Sequence, residues 1–149
     1  MSLYNILDVS ASGLSAQRKR AEILSQNIAN SETTRTADGG PYRRQRVIFE
    51  AEPARASFRE TLVRIAGQSV ETHPRGVRVT EVATDNTPGE RRYLPDHPDA
   101  DPGGYVEFPS FNPVEDMVDL ISATRSYQAN LQVVSAVKEM INRTIDIAR

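Results

Sequence analysis

The chain has 149 residues, of which 38% are apolar and 26% charged, so we expect one domain or one modest core with appendages. Its net charge of −2 argues against recruitment of nucleic acid or acidic lipid, and the absence of cysteine excludes disulfides, thiol catalysis and cysteine zinc sites. No stretch approaches the ~20 apolar residues that span a bilayer, and no unbroken apolar block opens the chain, so we expect neither direct membrane insertion nor a cleaved secretion signal.

The first segment, residues 1–31, is predicted to be a helix with a narrow apolar seam. Apolar residues recur there at heptad positions, namely Leu3, Leu7, Leu14, Ala21, Leu24 and Ile28. Ser10 and Gln17 occupy the same heptad position as Leu3 and Leu24, so the apolar seam is interrupted by polar residues. Because serine and Gly13 are poor helix formers, we expect this N-terminal assembly helix to be weak in isolation.

The middle segment, residues 32–111, has the composition of strands and loops. Seven of the eight glycines and all nine prolines lie between Gly39 and Pro113. Three stretches are predicted as strands, "DGGPYRRQRVIFEAE" after its opening turn, "GVRVTEV" and "GYVEF". The spacing of Phe58, Leu62 and Ile65 predicts one short helix between them.

The last segment, residues 112–149, is predicted to be a long C-terminal assembly helix. Asn112 suits the cap, Pro113 the first helical position and Glu115 the acidic position of a capping box. Residues at 3–4 spacing then form a stripe: Met117, Ile121, Thr124, Tyr127, Leu131, Val134, Val137, Ile141 and Ile145.

The length of this helix predicts that it needs partners outside a compact fold. Residues 113–148 would span about 54 Å at ~1.5 Å per residue, whereas a compact chain of this size is about 40 Å across. We therefore expect residues 1–31 and 112–149 to pack together, with a polymer supplying the remaining partners. The predicted fold class is mainly α with a small β element, in which two long terminal helices pair as a coiled-coil-like hairpin around a strand- and loop-rich middle.

No catalytic, cofactor or metal site can be nominated from the residues. His73 and His97 each precede a proline and have no metal-ligand spacing, so we interpret them as loop histidines. The segment "DHPDADPGG" (96–104) fits a structural turn better than a cation loop. The basic cluster "YRRQR" (42–46) fits a charged strand edge better than a nucleic-acid site. We expect no enzyme activity.

Charge is unevenly distributed along the middle segment. Seven arginines lie between Arg35 and Arg64, and seven acids without any base lie between Tyr93 and Thr124. Ordinary solvated surface explains this pattern, but so does a pair of complementary faces that meet between subunits.

Four blocks of the sequence resemble the flagellar basal-body rod proteins, and within them the proximal-rod type. They are "SASGLSAQRKRAEILSQNIANSETTRT", "DGGPYRRQRVIF", "LPDHPDADPGGYVEFP" and "VEDMVDLISATRSYQANLQVVSAVKEMINRTIDIA". The residues that match the family's motifs are Asn27, Ile28, Ala29 and Asn30 in the first block, and Tyr127, Gln128 and Asn130 in the last.

The resemblance implies a structural subunit of the rod, the drive shaft that crosses the periplasm in the bacterial flagellum basal body and transmits torque. It implies self-assembly with copies of itself and other rod proteins, and export through the flagellar type III apparatus without signal cleavage. It also implies contacts with basal-body base proteins. It implies no cofactor and no nucleic-acid partner. Another axial subunit, such as the companion proximal rod protein, and a coiled-coil adaptor remain as alternatives.

Amides beside the apolar stripes predict a register device. An unpaired buried amide costs ~1–3 kcal/mol, so Gln128 and Asn130 would favour one register of a helical assembly. Asn27 and Asn30 would close the first helix and fix the turn into the middle segment. Solvent-facing or routine capping roles for all four are the alternative.

Overall fold

The computed structural model describes residues 3–37, 39–52, 62, 65–66 and 76–147. Its elements in chain order are α1 (Leu3–Ala29), β1 (Gln45–Glu52), β2 (Gly76–Thr84), β3 (Glu90–Tyr93), β4 (Tyr105–Phe108) and α2 (Pro113–Ile147). The predicted fold class is confirmed, since two terminal helices enclose a small β middle. The short helix predicted at Phe58, Leu62 and Ile65 falls mostly outside the described residues.

Both helices begin or end on the residues that favour such boundaries. The Asn112 side chain accepts a hydrogen bond from the Val114 backbone N–H at 3.0 Å, so it caps α2 as predicted, and Pro113 takes the first helical position. The carboxyl end of α1 is closed by the Asn30 N–H, which donates to the Gln26 carbonyl at 3.0 Å. Among the described residues, no helix is both long and apolar enough to cross a bilayer.

Strands β1 and β2 form an antiparallel pair that lies on α1. Gln45 faces Thr84 and Glu52 faces Gly76, with an irregularity between Ile48 and Phe49. The pair is anchored at Ser12 of α1, whose Oγ accepts a hydrogen bond from the Val77 backbone N–H at 3.1 Å. A Cβ on Gly76 would approach this Oγ to 2.4 Å, so glycine permits the close approach of β2 to the helix.

Strands β3 and β4 form a second antiparallel pair, in which Glu90 faces Phe108 and Tyr93 faces Tyr105. Strand β4 was predicted, whereas β3 was not. The sequence "ERRY" of β3 has no alternation of apolar and polar residues, and all four residues are exposed. It is a strand because β4 supplies its hydrogen-bond partners.

The two helices pack side by side and antiparallel. Arg20 of α1 pairs with Asp119 of α2 at 3.1 Å, and Gly13 lies against Asn130 further along. The buried or half-buried residues of α2 that recur every seven positions are Asp116, Ala123, Asn130 and Val137. The seam therefore lies one position before the stripe that begins at Met117, and small or polar residues fill much of it.

Candidate functional site

The centre of the fold is a junction where α1 ends, β1 begins and α2 begins; we define it as Asn27, Tyr42, Arg44, Gln45 and Asp116. Asn27 has no exposed surface. Its Nδ2 donates to the Gln45 carbonyl at 2.9 Å, and its Oδ1 accepts from the Gln45 N–H and the Tyr42 hydroxyl, both at 3.0 Å. One amide thus joins α1 to the start of β1.

Asn30 acts at the surface, one turn beyond Asn27. Its Nδ2 donates to the Gln26 carbonyl at 2.9 Å, and its Oδ1 accepts from the Thr33 hydroxyl at 3.1 Å. These bonds join the last turn of α1 to the residues that follow it. Asn30 thus closes α1, as expected from the sequence, and Asn27 fixes the start of β1.

Arg44 and Asp116 form a buried ion pair across the junction. The Asp116 side chain has no exposed surface and that of Arg44 only 13%. Arg44 Nε and Asp116 Oδ2 have no hydrogen-bond partner among the described residues. Burial, and secondly the nearby Asp116 charge, raise the pKa of the Tyr42 hydroxyl above its usual value. This pair was not predicted from the sequence, because nothing in the residue pattern links these two particular charges so far apart in the chain.

Two arginines of the basic segment pair with acids of the acidic segment within one chain, and a meeting of the two segments between subunits stays a prediction. Arg35 pairs with Asp99 at 3.6 Å, and the Thr34 hydroxyl donates to the same carboxylate at 2.7 Å. Arg44 pairs with Asp116 in the same way. The Arg35–Asp99 pair forms because the turn after α1 runs beside the β3–β4 connection.

The stripe residues of the two helices separate into internal and surface positions. On α1, Leu24 is buried, Leu7, Leu14, Ala21 and Ile28 are half-buried, and Leu3 is exposed. On α2, Val137 is buried and Val134 and Ile141 are half-buried. The others are exposed, namely Met117, Ile121, Thr124, Tyr127, Leu131 and Ile145. Most of the α2 stripe thus faces away from its own partner helix.

The motif residues of the last block also take different positions. Asn130 is half-buried, and a Cβ on Gly13 would lie 3.0 Å from its Nδ2. Gln128 and Ala29 are exposed, and Tyr127 is at the limit of exposure. Within one chain, Asn130 is therefore at the helix seam, whereas Gln128, expected to share its register role, is not.

The turn 96–104 is organised by its own hydrogen bonds and by ion pairs. His97 Nδ1 accepts the Asp99 N–H at 3.1 Å, and Asp101 pairs with Arg91 at 3.4 Å. Gly104, with a φ of 79°, closes the turn by donating to the Asp101 carbonyl at 2.8 Å. In the part of the chain that the structure describes, no group of three His, Cys, Asp or Glu side chains is placed to hold a metal ion. His73 lies outside the described residues.

Two family models match the ends of the chain, where the helices lie. "Flagella basal body rod protein" matches residues 7–35, and "Flagellar basal body rod FlgEFG protein C-terminal" matches residues 103–147. The two matches include most of α1, all of α2 and two residues of the junction, Asn27 and Asp116.

Curated relatives are similar over the whole chain. A protein of Borreliella burgdorferi is 42% identical, with 99% of this chain and 98% of the relative covered. Proteins of Salmonella typhimurium and Bacillus subtilis are each 36% identical, with both chains fully covered. Each of the three is named flagellar basal-body rod protein FlgC.

Proposed function

The chain belongs to the FlgC family of flagellar basal-body rod proteins and is a structural subunit of the flagellar rod; from this premise we propose that it occupies the proximal rod and transmits torque there. The observation that carries the function is the similarity to FlgC proteins over their full length. As a member of this family the chain localises to the basal body and assembles with other rod proteins.

The terminal helix pair is the assembly element in this proposal. Six residues of the predicted α2 stripe are exposed, although soluble proteins seldom leave such apolar rows uncovered. With 35 residues, α2 is also longer than the 27-residue α1, so α1 cannot cover its whole length. Neighbouring subunits supply the missing contacts. Segments 1–31 and 112–149 then act as one assembly unit, and segment 32–111 braces it.

Three finer features complete the proposal. The subunit has a mechanical role and no catalytic one, and the hydrogen bonds of Asn27 and the Arg44–Asp116 pair at the junction serve to join elements. It reaches the rod through the flagellar export apparatus without signal cleavage. In the assembled rod it contacts the proteins of the basal-body base. The motif residues Asn27 and Asn30 serve these roles indirectly, because they set the path of the chain between α1 and β1.

The test is complementation in a flagellated species from which the native FlgC has been deleted. We expect this chain to restore rods and swimming, and a tag on an exposed loop to be found at the proximal rod in micrographs of purified basal bodies. A chain that is stable in these cells as a small soluble oligomer, and absent from basal bodies, would instead be an adaptor.

A further inference from the structure

The first two turns of α2 carry an apolar patch on the side opposite α1. It consists of Val114, Met117, Val118 and Ile121, whose exposed fractions are 59%, 47%, 62% and 55%. Their spacing of i, i+3, i+4 and i+7 is that of a helix that docks its apolar face into a groove. None of the four belongs to the seam with α1, so we call this surface the α2 patch.

A groove with an apolar part lies on another side of the same chain. It has a volume of about 440 Å³ and lies between α1, β1 and the side of α2 that carries Asp119. Ile23 and Leu24 of α1 form its floor, and Val47 and Phe49 of β1 line one wall. Val47 and Phe49 are only half-buried, so an apolar occupant would remove further apolar surface from water.

The edges of groove and patch carry opposite charges. Arg46 lies at the groove, has 62% of its side chain exposed, and is 3.8 Å from its partner Asp85. Glu115 flanks the α2 patch, is exposed, and pairs with no described residue. The groove thus combines an apolar floor and wall with charged side chains, which are Arg20, Arg44, Arg46 and Asp119. Three of these four are basic, whereas the patch is an apolar row flanked by a carboxylate that pairs with no described residue.

We propose that the α2 patch of one copy docks into the groove of a second copy of this chain. This contact rests on the proposed function and specifies how one subunit meets the next. Asp119, which borders the groove, lies about 150° around α2 from the centre of the patch, at about 100° per residue. Groove and patch therefore face different directions, and the contact is head-to-tail. Repeated head-to-tail contacts generate rings or helical filaments instead of closed two-fold dimers.

Paired cysteine variants test this contact, because the natural chain has no cysteine. Val118→Cys marks the patch and Val47→Cys marks the groove. Both variants are expressed together in a strain that lacks its own FlgC, and basal bodies are treated with a short bifunctional thiol reagent. We expect a crosslinked dimer when both are present, and at least tenfold less with either alone. The matched control replaces Val118→Cys by Val133→Cys, an exposed valine of α2 outside the patch.

Charge reversal gives a second measurement on the same pair. Arg46→Glu in the groove variant should lower the crosslink yield about fivefold, within the range of a single exposed ion pair, and Glu115→Arg in the patch variant should restore part of it. Equal yields from the mixture and from Val118→Cys alone would indicate a two-fold contact and overturn the proposal. A crosslink from Val118→Cys to a different rod protein would also overturn it.

The outcomes separate this contact from the function on which it rests. Basal bodies that contain the variants, support swimming and give no Val47–Val118 crosslink would overturn the docking contact and leave the rod function intact. If the natural chain, without substitutions and without the reagent, were absent from basal bodies, the docking contact and the rod function would both be overturned.

Discussion

Asn27 shows how one side chain can determine the path of the chain between two elements. Its amide is fully buried and forms three hydrogen bonds, two with the Gln45 backbone and one with Tyr42. Breaking one member of such a set leaves several buried polar groups without partners. The energetic cost therefore falls on the remaining groups more than on the deleted one.

Asn27→Ala should lower the free energy of unfolding by about 3 kcal/mol or more, since each buried group left unpaired costs ~1–3 kcal/mol. Asn30→Ala is the matched control. It removes an amide of the same motif that lies at the surface and should cost about 1 kcal/mol or less. Urea unfolding of the two purified variants measures the difference. Equal losses would mean that the Asn27 bonds contribute no more than a surface cap.

Tyr42→Phe should change the stability in alkaline solution. Burial and the Asp116 charge raise the pKa of Tyr42 in the folded state above its unfolded value of ~10. The fold prefers the neutral phenol, so this contribution to stability is complete below the unfolded pKa and is lost as the pH rises through the folded one. The natural chain should thus lose stability more steeply above pH ~10 than Tyr42→Phe.

Unfolding free energies measured at several pH values from neutral to alkaline would show this difference in slope. The exposed Tyr4 provides the control, as Tyr4→Phe removes a phenol that has most of its surface in water. Parallel pH profiles for Tyr42→Phe and the natural chain would contradict the assignment.

Residue roles were predictable from the sequence where they depend on neighbours in the chain. Asn30 at the end of a predicted helix, and Asn112 before Pro113, follow from capping chemistry. The Arg44–Asp116 pair does not, because a buried charge is recognised by its partner and its burial, and both arise only when the chain is folded.

At the scale of elements, the helix pair is held by close approach as much as by apolar burial. Gly13 lets α1 approach Asn130 of α2, and the alternating seam contains Ser10 and Asp116 as well as Ala123. A seam of this kind gains little from apolar area. The register role expected of Asn130 in an assembly stays a prediction.

A double-mutant cycle on Gly13 and Asn130 would measure that fit. Gly13→Ala alone should gain little or lose stability, because the new Cβ would lie 3.0 Å from the Asn130 amide and cancel the ~1 kcal/mol of helix propensity that alanine adds. In an Asn130→Ala background the same change should stabilise by about 1 kcal/mol. Thermal unfolding of the four proteins gives the coupling energy. Additive effects would show that the two residues do not constrain each other.

Element types followed from sequence patterns, but the faces of the helices did not. Alternation predicted β2, and the short runs after turn residues predicted β1 and β4, whereas the four exposed residues of β3 carry no pattern of their own. On α2 the apolar stripe and the buried seam share only Val137, since Asp116, Ala123 and Asn130 occupy the other seam positions. Periodicity identifies an apolar helix face, but it does not show whether that face contacts the same chain or another one.

For the whole molecule, the contacts of the helices predict uneven stability of the free subunit. Every residue from Asn142 to Ile147 is exposed, so the last turns of α2 have almost no tertiary support. The junction, in contrast, combines the ion pair and the Asn27 hydrogen bonds. Isolated helical turns are marginal in water, and most helical stability comes from packing.

Hydrogen exchange on dilute monomer should show this gradient. We expect amides of residues 142–147 to exchange within the dead time, those in the outer turns of α1 to follow, and those around the junction to be the slowest. Incorporation into rods should protect the terminal helices throughout. Strong protection across residues 3–29 and 114–147 in the monomer would contradict the view that these helices need neighbours.

The pairing of the first helix with the last has a consequence for the timing of folding. Residues such as Gly13 and Asn130, or Arg20 and Asp119, meet only after nearly the entire chain has become available, so the contact order of the helix pair is high. Closing such a long loop is entropically costly, and the helix contacts that offset this cost form only when α2 is present. In a chain whose carboxyl end is not yet available, α1 has no partner. The native state therefore cannot form until that end is free to pack against α1.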